Sequence, residues 1–337
     1  YEDKGNRLLF VEDESSHEIR ILDINSRTEI DPIPVRDTGI TGIPYHWGFV
    51  VKNPDSIYLP AGNRKLYCIN RKGDILKIID FSSIVKKYPL FTTPISGSRY
   101  SKGAIVLGKY IYFLQHDSRK YYFTKKPSDY HFLLRYGIKD NSFGISPISL
   151  PDDFWRVGKR QMSILLTYND LEKIFVFGTQ YGDLIITSKD GATITKIYHS
   201  KSKSIIETYY PYTPPDNLNT QNYIFSVCKY SLNGGLLWDP AKKIYYRFVW
   251  PGMKGLDSNQ FARINKIYDH FPTFTIDILD QDFNTLGSCR LPNDTYNWNN
   301  YFLSKDGLYL AVNRPEKCGK DNHWSWVFHL LKIKNLR

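Results

Sequence analysis

Long apolar runs are missing from this chain. Nothing in it approaches the roughly 18 consecutive apolar residues that a membrane-crossing helix requires. Cysteine is scarce: the four present, Cys68, Cys228, Cys289 and Cys318, show neither a Cys-x-x-Cys pair nor the Cys/His spacing of a zinc site. Cys68 and Cys228 sit in alternating runs, where a small buried hydrophobe is the expected role. Only two methionines occur and Ala-Leu-Glu-Lys stretches are few, which takes weight away from helices. Also absent are a Gly-x-Ser-x-Gly elbow, a Walker loop, a dinucleotide fingerprint and a His-Glu-x-x-His pair, so the enzyme classes that depend on them are disfavoured. Neither a cofactor nor a metal is expected.

What the chain has is aromatic and repetitive. Its 26 Tyr, 19 Phe and 7 Trp supply core material and favour strands. At roughly 50-residue intervals one phrase recurs: an apolar run, a tight polar turn, an alternating run, then Gly or Asn-Gly. Its clearest copies run from Asp55 through Gly73 and from Lys173 through Gly191. Short strands repeating at that period are the mark of a β-propeller, whose blades bury their faces against one another. The fold expected is all-β, a single propeller domain over 1–337. Seven blades are favoured and six are the alternative. Both termini are short of a full blade, so the N- and C-terminal strands are expected to close the ring together. The fifth, sixth and seventh modules are read at 223–250, 266–291 and 301–334, with Gly234-Gly235 as a turn. One short helix is read at Ser82–Tyr88.

Formal net charge is +11 with a pI near 9.2, yet the basic residues are dispersed among turns. Lys120-Tyr-Tyr-Phe-Thr-Lys-Lys126 has the composition to stack bases, but alternate strand residues face opposite sides, and nucleic acid is not an expected partner. The chain starts at Tyr1 instead of Met, which fits removal of a leader.

The phrases Asn53-Pro-Asp-Ser-Ile-Tyr-Leu59, Ile69-Asn-Arg-Lys-Gly-Asp-Ile75 and Ile19-Arg-Ile-Leu-Asp-Ile24 resemble the propeller-type lipoproteins of Bacteroides-like gut bacteria, a family built on a domain of unknown function. That resemblance implies export to the periplasm or cell surface, with a lipid anchor upstream of Tyr1 as the only tie to the membrane. No catalytic residues come with it.

In a propeller the segments leading into the first strands converge at one mouth of the central channel. Here they are polar and aromatic: Pro44–Gly48, Ser98–Ser101, Arg156–Met162, Asn219–Asn222, Tyr268–His270 and Tyr296–Asn300. His46, Trp47, Arg99, Tyr100, Arg160, His270 and Trp298 are the candidate ligand-binding residues. Trp47, Tyr100 and Trp298 would stack, Arg99 and Arg160 would hold anionic or hydroxyl groups, and the histidines would hydrogen-bond. The competing reading makes these residues plugs of the channel and caps of the strands. His46 and His270 have the right chemistry for proton transfer, but Asp269 and His270, as strand neighbours, would point apart. Asp280–Asn284 has the start of a calcium loop without its Gly and Glu, and a hairpin turn explains it better. The expected role is binding of a small molecule, glycan or protein by a monomer; the alternative is a propeller-type hydrolase or lyase acting on a sugar or lactone.

Overall fold

A computed structural model describes residues 1–3, 5–13, 16–35, 42–44, 46, 48–87, 94–95, 104–115, 131–151, 164–180, 182–206, 220–269, 271–313, 316–318, 323–325 and 327–333. These divide into two compact units, the first ending at Pro147 and the second beginning at Ile148. Each unit carries three antiparallel meander sheets, which makes six propeller blades. In the first unit, blade 1 uses Glu2–Asp3, Asn6–Asp13, Glu18–Asp23 and Thr28–Pro34, and blade 2 uses Val50–Asn53, Ser56–Ala61, Lys65–Ile69 and Ile75–Asp80. Blade 3 is made from Ala104–Leu107, Tyr110–Gln115, Leu133–Gly137 and Phe143–Ile145, with the short strand Pro94–Ile95 added beside the second.

In the second unit, blade 4 takes Ile164–Asn169, Ile174–Thr179, Leu184–Ser188 and Lys196–His199, and blade 5 takes Leu232–Asp239, Ile244–Trp250, Thr275–Leu279 and Thr285–Arg290. Blade 6 has Tyr296–Ser304, Gly307–Val312 and Phe328–Leu331, with a two-stranded ribbon, Glu316–Cys318 and His323–Ser325, between its second and third strands. The helices are α1 (Ser82–Lys87), as the sequence predicts, α2 (Thr220–Lys229) and α3 (Phe261–Asp269).

Period-two alternation explains why the middle strands read as continuous apolar runs: each face packs on a different neighbour. In blade 2, Ile57, Leu59, Tyr67 and Ile69 join Ile19, Ile21 and Ile33 of blade 1. Their sequence neighbours Tyr58, Leu66 and Cys68 join Ile111, Phe113, Leu134 and Tyr136 of blade 3. Blade 5 does the same in the second unit, with Tyr245 packing toward blade 4 and Tyr246 toward blade 6. Each such side chain, fully buried, contributes about 1.5–3 kcal/mol. Fourth strands have one covered face at most, so Leu76, Ile78, Ile197 and Leu286 remain exposed.

The hairpins share a device. Asp23, Asn169 and Asp239 each accept backbone N–H groups two and three residues ahead, and Arg27, Lys173 and Lys243, each four residues on, adopt positive φ. The Asx side chain stands in for a turn of backbone, and the left-handed residue restores the strand direction. Asp280 likewise accepts from the backbone of Asp282 and Asn284, so the predicted hairpin turn is what forms there.

Three expectations are corrected. Six blades form, not seven, because the modules read at 223–250 and 266–291 are one blade, preceded by α2 and interrupted by α3. Residues 223–229 and 266–269 are helical: Ile224, Val227 and Cys228, and Ile264, Ile267 and Tyr268, recur at three- and four-residue spacing and bury one helix face each. The termini do not share a blade among the described residues, since Glu2–Asp3 turns back through Gly5 (φ 86°) and pairs with Asn6 and Arg7 of its own sheet. Gly234 and Gly235 lie inside a strand, at a bulge, and make no turn.

Candidate functional site

An antiparallel meander puts the lead-in to its first strand and the connection between its second and third strands at the same end. In the second unit the first strands of blades 4, 5 and 6 are neighbours, so these leading ends lie side by side. There the turn after Thr179 in blade 4 meets the start of Leu232–Asp239 in blade 5. The Asn233 backbone N–H donates to the Gln180 carbonyl at 2.7 Å, and its Nδ2 donates to the carbonyls of Thr179 and Gly182, each at 2.8 Å.

Both amide side chains are closed from solvent, Gln180 at 1% and Asn233 at 3% exposure. Gln180 Nε2 and Oε1 and Asn233 Oδ1 make no hydrogen bond among the described residues. Each unmade bond to a buried polar group costs about 1–3 kcal/mol, which a packed core seldom retains without reason. The open valences are two N–H donors on one nitrogen and two carbonyl acceptors. A balanced neutral set suits a hydroxyl or carboxamide, because an anion would meet the acceptors and a cation the donors.

The floor of this corner is set by glycine. A Cβ on Gly234 would stand 2.4 Å from Trp298 Cζ3, and one on Gly235 2.0 Å from the Tyr301 hydroxyl. Trp298, 3% exposed, also packs on Phe271 with ring centres 4.4 Å apart. It is therefore a core side chain of blade 6. Above it α2 and α3 cap the leading end of blade 5: Trp250 Nε1 donates to the Cys228 carbonyl at 3.0 Å, and the Cys228 thiol to the Ile264 carbonyl at 3.4 Å. Cys68, Cys228 and Cys289 are all thiols.

Deeper in blade 5 the directly paired Arg247 and Asp277 are joined at 2.8 Å, with exposures of 3% and 0%. Arg247 also donates to the Ser200 carbonyl, and the Ser288 hydroxyl donates to Asp277 Oδ1 at 2.7 Å. All three Arg247 nitrogens and both Asp277 oxygens are bonded, which makes the network a structural tie from the end of blade 4 into blade 5.

In the first unit His46 bridges to the backbone of Ala61, and its Nε2 stands 2.7 Å from Glu12 Oε1. The pair is a close approach of imidazole and carboxylate that does not meet hydrogen-bond geometry. Trp47, Arg99, Tyr100, Arg160 and His270 lie outside the described residues. Of the seven sequence-predicted residues, then, His46 and Trp298 are placed, one in each unit. Two predicted lead-in segments change character: Thr220–Asn222 begins α2, and Tyr268 and Asp269 end α3. No three His, Cys, Asp or Glu among the described residues come together as a metal-holding group. Gln180 and Asn233 were not singled out in the sequence, where an amide in an apolar run carries no sign of burial; the only signal is the adjoining Gly178, Gly182 and Gly234-Gly235, which mark close approach of backbone.

Residues 1–288 match the domain of unknown function DUF4221. The chain belongs to that family. A DUF4221 family member from Bacteroides vulgatus, solved by crystallography, has the same propeller fold, with a TM-score of 0.75 at 20% identity over 99% of this chain and 91% of that one. Hydrazine synthase of Kuenenia stuttgartiensis (TM-score 0.48, 11% identity, 90% of this chain and 70% of that one) shares the outline only. So does a streptogramin B lyase (0.45, 11%, 97% and 80%), and neither likeness carries a functional argument. No curated protein sequence matches. Within DUF4221, the likeness to the Bacteroides vulgatus member extends the fold assignment over nearly the whole of this chain.

Proposed function

We propose that this DUF4221 protein is a binding propeller that takes a neutral, hydroxyl-rich ligand, of the glycan class, at the leading ends of its first strands. The observation that carries the reading is the pair of buried amides, Gln180 and Asn233, tied together by the Asn233 N–H to the Gln180 carbonyl and left with open side-chain donors and acceptors. Buried polar groups in folded proteins are met by protein, water or a bound group, and a sugar hydroxyl both donates and accepts. Because the corner is closed, binding entails movement of the turn that follows Thr179. His46, Trp47, Arg99, Tyr100, Arg160 and His270 stay in the proposal as polar and aromatic candidates named from the sequence, and Trp298 is the core side chain against Gly234. Export and a lipid anchor are part of the same reading, on the resemblance of the blade phrases; fractionation of the native protein tests them.

The test is calorimetric titration of neutral mono- and oligosaccharides into the chain and into Gln180→Leu, which keeps the volume and removes the valences. At least one sugar is expected to bind, with affinity about tenfold or more lower in Gln180→Leu. Absence of binding across the panel, or equal binding to both proteins, defeats the proposal. Asn233 is a poor test residue, since losing its two bonds to the blade 4 turn would loosen the fold.

A further inference from the structure

Arg135 of blade 3 stands out among the exposed cations by what surrounds it. Tyr112, in the strand Tyr110–Gln115, pairs directly with Arg135 of Leu133–Gly137, and Arg135 pairs in turn with Gly144 of Phe143–Ile145. Residues directly opposite in a sheet share a face, so these three form one row. Tyr110, two residues before Tyr112, lies on the same face, opposite Gly137. Its ring centre is 6.2 Å from that of Tyr112, the planes 67° apart, and the Arg135 guanidinium lies over it at 4.6 Å. Both rings are half-buried, and Arg135 is exposed. The other face of these strands, with Ile111, Phe113, Leu134 and Tyr136, is the one packed toward blade 2.

Lys109 also lies over the Tyr110 ring, at 5.1 Å, but an acid answers it. Hydrogen bonds from the Ser142 hydroxyl and backbone N–H hold Asp140 below the usual carboxylate range, with the attraction of Lys109 added. Asp140 covers the Gly137 end of the face, where a Cβ on Gly137 would stand 2.1 Å from its Oδ1. Arg135 has no hydrogen bond or ion pair among the described residues. There is room beside it: among the described residues, a Cβ on Gly144 would meet Arg135 Nη2 alone within 4 Å, at 3.8 Å. A guanidinium resting on a ring keeps N–H donors at its edge for an anion. One unanswered positive charge suits a carboxylate better than a phosphate, which brings about two negative charges.

We propose that this face binds a sugar acid, a uronate, with the Arg135 fork on its carboxylate above Gly144 and its ring against the tyrosine pair. Tyrosine offers an apolar ring and a hydroxyl together, and a pyranose, apolar on its C–H face and hydroxylated at its rim, matches both. A bare anion uses neither. The site lies within the first unit and shares no residue with Gln180 and Asn233, so it does not depend on the amide corner.

Glucuronate and galacturonate, free and as short oligomers, are titrated calorimetrically beside glucose, acetate and inorganic phosphate. A uronate is expected to bind more tightly than any of those three. Arg135→Gln should lower its affinity about tenfold or more, and Arg135→Lys, which keeps the charge without the fork, should lose part of it. Gly144→Val fills the open space and leaves the arginine in place, and it should remove binding while the melting temperature stays near that of the parent. Gln180→Leu should bind uronate like the parent, whatever it does to a neutral sugar. The proposal is overturned by absence of uronate binding, by acetate or phosphate binding as tightly, or by Arg135→Gln or Gly144→Val binding like the parent. An equal loss in Gln180→Leu also overturns it, since that would put the uronate at the amide corner.

Discussion

Blade 2 and blade 5 have the same four-strand order, and each is the middle blade of its unit, but they are stabilised differently. Blade 2 runs without interruption from Val50 to Asp80, and both its faces are apolar, with Tyr58 and Cys68 the most polar groups toward blade 3. Blade 5 is broken between its second and third strands by α3, and it encloses a charged pair, Arg247 with Asp277, that blade 2 has no counterpart of among the described residues. An apolar blade tolerates its neighbours by shape alone; a blade with a buried ion pair demands one register, because any slip leaves a charge unanswered.

The largest expected effect breaks that difference directly. Arg247→Met strands Asp277 in a dry interior and should lower unfolding free energy by about 3–5 kcal/mol. Arg20→Met in blade 1, whose partners Asp13 and Glu29 are partly exposed, should cost about 0–1 kcal/mol. Urea unfolding of the two variants reads the contrast, and equal losses would mean that the blade 5 pair is no more than a surface ion pair.

Smaller in size, glycine separates the inner from the outer part of blade 5 itself. Gly234→Ala drives a methyl into the Trp298 ring and should cost about 1–3 kcal/mol. Gly287→Ala on the fourth strand meets nothing within 4 Å and should stabilise by up to about 1 kcal/mol. Melting temperatures moving in opposite directions are the expected result.

The smallest effect sharpens what the two blades share. Burial pushes Tyr136, which packs against blade 2, up to about 12, and raises Tyr58, Tyr245 and Tyr246 as well. An unfolded tyrosine ionises near pH 10. The stability that comes from keeping these hydroxyls neutral is therefore whole below about pH 10 and is lost as pH rises from there toward the folded values. Alkaline unfolding that sets in above about pH 10, and is delayed in Tyr136→Phe, is the measurement. At the acid end, hydrogen bonds from Asn25 and Ser26 hold Asp23 below the usual carboxylate range, so that turn keeps its support above about pH 4 and loses it as pH falls further.

The same two blades mark how far the sequence could be read. Blade 2 was legible strand by strand, because its turns carry Asn53, Asn70 and Gly73 and its strands alternate. Blade 5 was not. Ile224, Val227 and Cys228 satisfy an alternating pattern loosely and a helical one better, and in so short a window the propeller period outweighs the difference. Counting those residues as strands produced a seventh blade and turned two helices into lead-in segments. The candidate site suffered more, since it was assembled from exposed-looking polar and aromatic residues. Trp298 proved to be core, and the amides that stand out by geometry, Gln180 and Asn233, are ordinary in composition and distinguished only by what surrounds them.

The excursion between Trp250 and Thr275 also bears on how the nascent chain assembles. Blade 2 is complete once Asp80 has left the ribosome, with only local hairpins to close. Blade 5 must hold an open edge at Ile244–Trp250 until the strand carrying Asp277 arrives from beyond α3, against the entropy of closing that loop. During that interval Arg247 has no carboxylate and the edge has no partner, so the half-made sheet is the stage of synthesis at which a second nascent chain is most able to pair in its place.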